Sequence, residues 1–515
     1  MSLRIQKHNS IRSFYETYSP ENYDDVQVII IGHVHSFRVA GGGSLLFIDF
    51  LDGSTVRDLK CIISRVKPEK RTEEQRSDLE ISKFDVLFDT VCRGMGLKLT
   101  GFLVKSPPRA TQPFELQIRE YRILGPVPDS ASYVMCSKQV VPLETMRSKF
   151  PHLRNQTKTG MAITILKKMS YAEYDKTMTD MDIGRIDFVG FTESDCEGGA
   201  EQFVVTTLLG PKTKPNDLPV KEDGTIDWKK DFFERQGPVY ETCSAQLELE
   251  YAALASGGAH IWTRASRAEP STGSLHLATF DMNEVEIVCE TIEEVMAVAE
   301  GGSKAVIRQA LKNHRVELEY LAQTFGEEYQ CHDLVERLVR YSEVESWPVI
   351  SHEDAVEKML TDMEEKGVVF EETPTYNGDF TKEHERYITQ IIFGGMPVKV
   401  KWYPSQIKSF YMPVVRNDPG THGVEHADCF DILFPYVGEV VGGSMRETHY
   451  DTLMSKIQSK GMNPKPLEKY LDIRRCGSLP HGGFGIGWAR LMMVLTGVLR
   501  AKEMVEMPRA KGCFV

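Results

Sequence analysis

Five short runs of alternating apolar residues fall within the first 130 positions, and they constrain the fold more tightly than any other feature of the chain. They are "VQVIIIGHVHSF" (26–37), "SLLFIDFLDGS" (44–54), "TVRDLKCIIS" (55–64), "LKLTGFLVKS" (97–106) and "PFELQIREYRIL" (113–124). Period-two alternation sends successive side chains to opposite faces, so each run reads as a strand with one buried face. The turns "AGGGS" and "DGS" between the first three have hairpin chemistry. Short strands packed this closely bury their apolar faces by closing on themselves, which predicts a small barrel with the OB-fold as its leading form.

The rest of the chain reads differently. A length of 515 residues allows two or three domains. The Pro-rich pieces "SPPRATQP" and "GPVPDS" mark a loop and a boundary near residue 130. Helical periodicity covers residues 145–180, 290–324 and 328–343, and a polar, turn-rich excursion covers 213–231. In the C-terminal third, strands such as "PVKVKWYP" and "CFDILFPYVGEVVGGS" are not joined by regular crossover helices. That favours an α+β fold, with a mixed, mainly antiparallel sheet flanked by helices, over a doubly wound one.

Net charge is −13, unevenly spread: residues 1–130 hold 18 Lys+Arg and 17 Asp+Glu, a balance of +1. Diffuse contact with nucleic acid therefore falls more naturally to the barrel than to the acidic remainder. No apolar run reaches the roughly 18 residues of a membrane span. The start, "MSLRIQKHNS", lacks the apolar core of a signal peptide. Ten scattered cysteines, without C-x-x-C or a Cys/His cluster, read as reduced thiols of a cytoplasmic protein without zinc.

Near the C-terminus, "PHGGFGIGWARLMMVL" (480–495) holds four glycines in six residues. Its G-x-G-x-G spacing and the short remaining chain exclude a dinucleotide-binding unit, and it lacks the lysine of a P-loop. It reads as a glycine-rich turn entering a helix. Trp488, Leu491, Met492 and Leu495 form that helix's buried face, and Arg490 lies off it.

Four further stretches concentrate chemistry. In "RASRAEPSTGSLHLATFDMNEVEI" (264–287), Arg267 and Glu269 are two apart and would share a face of a strand, followed by His276 and Phe280. Arginine's planar fork suits a phosphate and phenylalanine can lie on a base; the plainer reading is a salt-bridged hairpin. In "DILFPYVGEVVGGSMRE" (431–447), Asp431, Glu439, Arg446 and Glu447 interrupt an apolar strand pair. Glu439 could hold Mg²⁺ through oxygen and Arg446 could read a small carboxylate or amide, or the stretch is a hairpin with a diglycine bulge. In "ESDCEGGAEQFVV", Glu197 and Glu201 flank a diglycine, suited to an ammonium group or to a solvated turn. In "TCSAQLELEYAAL", Ser244 and Gln246 open a helix, with Ser244 as its expected cap. Arginines for phosphate, an acid for metal and an acid for an amine together suit attack of a carboxylate on the α-phosphate of ATP. Such chemistry needs positioning and charge neutralisation rather than a covalent nucleophile.

The order of these motifs resembles class II aminoacyl-tRNA synthetases of the aspartate/asparagine group, and its asparaginyl branch most closely. "RAE" with "HLATF" is similar to the second motif of that class, and "GFGIGWARL" to its third. "SDCEGGAEQF", "DFFERQGPVYETCSAQLELE", "YPSQIKSFYM" and "GEVVGGSMRE" resemble asparaginyl rather than aspartyl enzymes, as does Leu249 where aspartyl enzymes carry a lysine. The resemblance implies an OB-fold anticodon-binding domain at 1–130, a hinge at 131–155 and a class II catalytic domain at 156–515. It implies a homodimer that charges tRNA(Asn) with asparagine, with ATP as substrate and Mg²⁺ as cofactor. Arg267 would bind the α-phosphate, Glu269 the adenine amino edge and His276 the outer phosphates. Phe280 would stack on adenine, Arg490 would hold the γ-phosphate and the other adenine face, and Glu439 would ligate Mg²⁺. Glu197 and Gln246 would take the ammonium group and Arg446 the side-chain oxygen. Arg38, Phe47 and Lys60 would meet the anticodon.

The chain departs from the family pattern at five positions. Leu275 and Thr279 replace the Arg and Glu of "RHLAEF", a Glu expected to help read the substrate amide, so amide selection is expected to weaken or move. Ala489 stands where Glu is common, Val189 aligns with an interface proline, and Lys60 replaces a Gln. Three alternatives therefore stand beside asparagine charging: an aspartyl enzyme, an asparagine-synthetase-like relative, and a nucleotide- or tRNA-binding paralogue that does not charge.

Overall fold

The structure is a computed structural model and describes residues 9–23, 26–66, 70, 72, 79–136, 141–187, 190–193, 201–211, 213–214, 217–270, 273–415 and 422–514. The chain divides into two compact units, Met1–Ile165 and Leu166–Val515. Among the described residues, no helix is long and apolar enough to cross a membrane.

In the first unit, the five alternating runs form β1 (Gln27–Ala40), β2 (Leu45–Leu51), β3 (Leu59–Ser64), β4 (Gly96–Lys105) and β5 (Phe114–Gly125). They close into a barrel in the order β1-β2-β3-β5-β4. β3 and β5 pair parallel and the other neighbours antiparallel. Alternation decides what lies inside: Leu46, Ile48 and Phe50 of β2 and Leu97 and Leu99 of β4 are buried in one core, while the residues between them face outward. The β1–β2 turn carries Gly41, Gly42 and Gly43 at φ of 59°, 62° and 102°, a left-handed path that side chains resist. One element was not expected from the strand periodicity. A short helix, Ile11–Thr17, is started by a Ser10 capping box and sends Ile11 and Phe14 into the barrel core. Tyr15 and Tyr18 pack on Phe114 at centroid distances of 4.8 and 4.6 Å.

The second unit is built on an eight-stranded sheet. Its strands are β6 (Gly184–Arg185), β10 (Gly258–Ser266), β11 (Thr279–Val288), β12 (Val349–Ser351), β13 (Val398–Lys401), β14 (Cys429–Phe434), β15 (Gly438–Met445) and β16 (His481–Gly487). β7 (Phe191–Thr192), β8 (Val204–Val205) and β9 (Val239–Glu241) form a small separate sheet. The large sheet runs β12-β13-β14-β15-β16-β11-β10-β6, parallel at its two end pairs and antiparallel between them. It is mixed and mainly antiparallel, as expected, with helices packed on it. The long helical pattern at 290–324 is broken at His314, giving Ile292–Asn313 and Arg315–Tyr329, followed by Leu334–Glu343.

Two local expectations are corrected. "HGGFGIG" is not a turn but β16, a central strand bonded on both sides. The helix Trp488–Thr496 follows it directly, with Trp488, Leu491, Met492 and Leu495 buried as read. Trp488 lies against Trp262 and Tyr171 at 4.5 and 5.2 Å. Arg267 and Glu269 do not share a strand, because β10 ends at Ser266. The reason for the glycines lies in the register. Gly483 is opposite Glu286 of β11 and Ser444 of β15, and Gly485 is opposite Glu284 and Gly442. A Cβ on Gly483 would stand 2.0 Å from the Glu286 carboxylate and 2.2 Å from the Val285 carbonyl oxygen. One face of β16 is therefore bare so that neighbouring acids can cross it.

This makes a stability prediction. Gly483→Ala should cost about 3 kcal/mol, as overpacking of a tight interior does. At Gly485 the nearest atom to a new Cβ is the flexible Met282 sulfur at 3.3 Å, so Gly485→Ala should cost less than about 1 kcal/mol. Urea midpoints at unchanged slope measure both; equal costs would show that the Glu286 crossing does not set the requirement.

Candidate active site

Side chains from β11 and β15, and from the segments that follow β10 and β16, gather at one end of the bare face. Arg267 follows the last residue of β10, and its guanidinium lies 5.7 Å from the ring centroid of Phe280 on β11. Glu269 is in the same loop, 4.0 Å from Arg267. His276 sits in the β10–β11 connection, its backbone N–H donating to Gly273 at 3.4 Å. Arg490, in the first turn of its helix, donates through Nη1 to the Glu439 carbonyl oxygen at 2.7 Å and to its carboxylate at 3.4 Å. Burial pushes the Glu439 carboxyl up, but Arg490, Lys408, Lys382 and Arg267 outweigh it and hold the group below its ordinary value. The two arginines read as phosphate ligands and the acid read as a metal ligand are thus within electrostatic reach of one another.

Asp431 faces the same site. A Cβ on Gly442 would lie 3.1 Å from a Glu439 oxygen and 3.4 Å from an Asp431 oxygen, so both carboxylates reach over one glycine. Burial, then the like charge of Glu439, pushes Asp431 up to about 6 against the pull of Lys408, which bonds it at 3.2 Å. Two carboxylates held against mutual repulsion form an all-oxygen donor pair, which fits a hard divalent cation. The sequence showed Asp431 among the interrupting acids without a role for it, and gave Lys408 none. Their signal was present, a lone acid in an apolar strand and a lysine in "YPSQIKSFYM", but their convergence is spatial.

At the other end of the face lies a buried charge network. Arg446 donates side-on to Glu286, Nε to Oε1 at 2.9 Å and Nη2 to Oε2 at 3.0 Å, and its Nη1 bonds the Ser444 hydroxyl. Glu250 accepts from Arg474 at 2.7 Å, from the Tyr470 hydroxyl at 3.0 Å and from the Gln246 amide at 3.1 Å. His481 Nε2 lies 3.0 Å from it. Burial raises the Glu250 carboxyl, yet Arg474, His481 and Arg446 hold it well below the usual range. Glu286 moves the other way, pushed up by burial and by Glu250 despite Arg446. Glu250, Glu286 and His481 cluster as metal ligands would, but two arginines already occupy their oxygens.

Gln246 is thus placed on Glu250 next to Arg446. The expected Ser244 cap is displaced by one: the N-cap position is Ala245, though Ser244 Oγ accepts the Gln246 N–H at 3.1 Å and donates to Glu284. Thr279 is placed away from the Arg446–Glu286 pair. It opens β11 opposite Ser266, seven residues before Glu286, which at about 3.3 Å per residue is roughly 23 Å of strand. Glu197 and Val189 lie outside the described residues. In the barrel, Arg38 and Phe47 are paired across β1 and β2 with the guanidinium 5.1 Å from the ring centroid. Lys60, on β3 beside them, forms an ion pair with Asp49. Phe47 and Asp49 are two apart on one strand, so all three predicted residues share one outward face.

With this geometry in place, comparison with known proteins is informative. Residues 144–511 match the family model "tRNA synthetases class II (D, K and N)". The asparagine–tRNA ligase of Porphyromonas gingivalis strain W83 is 32% identical over 484 residues, covering 94% of each chain. That of Clostridium tetani is 30% identical and covers 98% of this chain and 99% of its own. Among solved structures, asparaginyl-tRNA synthetase from Pyrococcus horikoshii, complexed with asparaginyl-adenylate, superposes with a TM-score of 0.72 at 23% identity over 95% of both chains. The chain belongs to the class II tRNA synthetases of the D, K and N group.

Proposed function

We propose that this chain is an asparagine–tRNA ligase, which activates asparagine with ATP and transfers it to tRNA(Asn). The observation that carries the reading is the pairing of two unlike ends on one bare sheet face: Arg267, Arg490 and Glu439 at one, Arg446 with Glu286 at the other. The names of full-length relatives support the same substrate.

The substrate carboxylate attacks the α-phosphorus in line, pyrophosphate leaves, and asparaginyl-adenylate forms. A terminal ribose hydroxyl of the tRNA then attacks the acyl carbon and AMP leaves. Neither step needs a nucleophile from the protein, so its contribution is orientation and charge. Arg267 holds the α-phosphate and Phe280 lies on the adenine, whose amino edge meets Glu269. His276 and Arg490 take the outer phosphates. Asp431 and Glu439 would hold Mg²⁺, which when bound neutralises phosphate charge. Glu197 and Gln246 orient the ammonium group.

Arg446 and Glu286 suit a carboxamide. Arginine has five N–H donors, and three are engaged among the described partners, leaving donors for the amide oxygen. Glu286 can accept from the amide NH₂. Aspartate would set a second carboxylate against Glu286, which disfavours the aspartyl alternative. Thr279, remote from this pair, then has no bearing on amide selection.

The closed barrel is read as an OB-fold that binds the anticodon through Arg38, Phe47 and Lys60. The working division is 1–130 for anticodon binding, 131–155 as hinge and 156–515 for catalysis. The homodimer is assigned to the β6 edge, beside a surface groove lined by Tyr171, Asp175, Arg185, Trp262, Arg264 and Asp281. The protein is placed in the cytoplasm.

ATP–pyrophosphate exchange is the primary test: it should proceed with asparagine and not with aspartate. Exchange on aspartate alone sinks the reading, and none with either would favour a non-charging paralogue. Arg490→Ala should lower exchange by about 10²–10³, the usual loss for one charge-stabilising donor, with an unchanged circular dichroism spectrum. Retained exchange would remove Arg490 from the phosphate site. Phe47→Ala should reduce tRNA charging roughly 10- to 100-fold, as loss of one stacked base does, and leave exchange untouched. Equal losses in both assays would refute a separate anticodon reader.

A further inference from the structure

Glu439 is held by a residue 54 positions earlier in the sequence. Its backbone N–H donates to Glu385 Oε2 at 3.3 Å, while its carbonyl oxygen accepts from Arg490 at 2.7 Å. Both peptide groups flanking Glu439 are thereby fixed, and the carboxylate projects from a gripped backbone, 41% exposed. Glu385 is itself constrained. Lys382 Nζ bonds both of its oxygens at 2.8 Å, and its side chain is only 9% exposed. It lies in the short helix Lys382–Tyr387, capped by Thr381 and tied through His384 to the Glu372 carbonyl at 2.7 Å. That helix runs on into a π-helical turn, Ile388–Ile392.

Gly438 records the same requirement from the other side. Its φ is +86°, and a Cβ there would stand 2.0 Å from Glu385 Oε2 and 3.3 Å from Lys382 Nζ. The turn into β15 therefore has room for Glu385 and nothing else. Lys382 satisfies both oxygens of this buried carboxylate, and Oε2 also accepts the backbone N–H of Glu439.

We propose that Glu385 is a positioning residue for the cation site, aiming the Glu439 carboxylate through its backbone N–H, with Gly438 as the gap that admits it. The proposal rests on Glu439 as a Mg²⁺ ligand in the function proposed above. Residues behind a metal ligand typically contribute 10- to 100-fold to metal affinity.

The test measures Mn²⁺ binding by electron paramagnetic resonance in the presence of AMPCPP, an ATP analogue whose α,β-methylene bridge cannot be cleaved, alongside the Mg²⁺ and asparagine dependence of exchange. Glu385→Ala should weaken Mn²⁺ binding and raise the half-saturating Mg²⁺ concentration by about 10-fold or more, leaving the KM for asparagine within about twofold. Glu385→Gln keeps an acceptor oxygen and should recover most of the loss. Where Glu385→Ala does not fold, Glu385→Asp, which keeps the charge beside Lys382 but shortens the reach to the Glu439 N–H, is read in the same way. Native Mn²⁺ affinity in the folded variant overturns the proposal, provided Glu439→Ala abolishes binding. If Glu439→Ala binds Mn²⁺ normally, the metal assignment fails instead.

Discussion

The ion pair between Arg446 and Glu286 is the interaction on which the catalytic face depends. Both groups are buried, and a buried charge is tolerated only when geometry and further hydrogen bonds compensate its lost hydration. Here the pair is side-on and doubly bonded, Ser444 takes another guanidinium N–H, and Glu250 stands 3.7 Å away. The pair exists only because Gly483 has no side chain: β16 separates β11 from β15, and any Cβ at 483 would occupy the place of the Glu286 carboxylate. The bare face of β16 thus serves the sheet's own charges.

From that crossing the rest of the site follows by register. Antiparallel pairing with β16 brings Glu286 level with Ser444, and Glu284 level with Gly442. The opposite ends of the same strands carry Phe280 and Glu439, with Arg490 in the helix that follows β16. One sheet therefore presents a cation-rich end with part-buried acids and a buried, internally compensated end. The opposing pKa directions of Glu250 and Glu286 express the second end's character. Glu250, with two arginines and a histidine near it, stays ionised, whereas Glu286 bears the repulsion of Glu250. The first end shows the same contrast, Glu439 held down by four cations and Asp431 pushed up beside it.

Legibility in the sequence followed the range of the forces involved. Period-two alternation is local, so all five barrel strands were readable, whereas the pairing of Arg38 with Phe47 and of Lys60 with Asp49 came from the register. The helix face of Trp488, Leu491, Met492 and Leu495 was readable for the same reason. The helix Ile11–Thr17 was not, since seven residues leave too short a pattern and its stability comes from docking on the barrel. The glycine run was taken as a turn because glycine's local preference is for turns; its place in a central strand answers a carboxylate almost 200 residues earlier. Glu250, Arg474, Lys408 and Glu385 went unassigned since their partners lie between 23 and 224 residues away.

The sequence by itself determined the strand and helix alphabet, the acid and arginine inventory, and the family resemblance carried by ordered motifs. Only the tertiary structure decided which acids lie among Arg490, Lys408 and Arg267 and which are bonded by Arg446 and Arg474, that Thr279 and Arg446 sit at opposite ends of the face, and why β16 is bare. The physical reason is that a side chain's charge state and role depend on its burial and on the charges within a few ångströms. Those neighbours are supplied by strand register, which no local pattern contains.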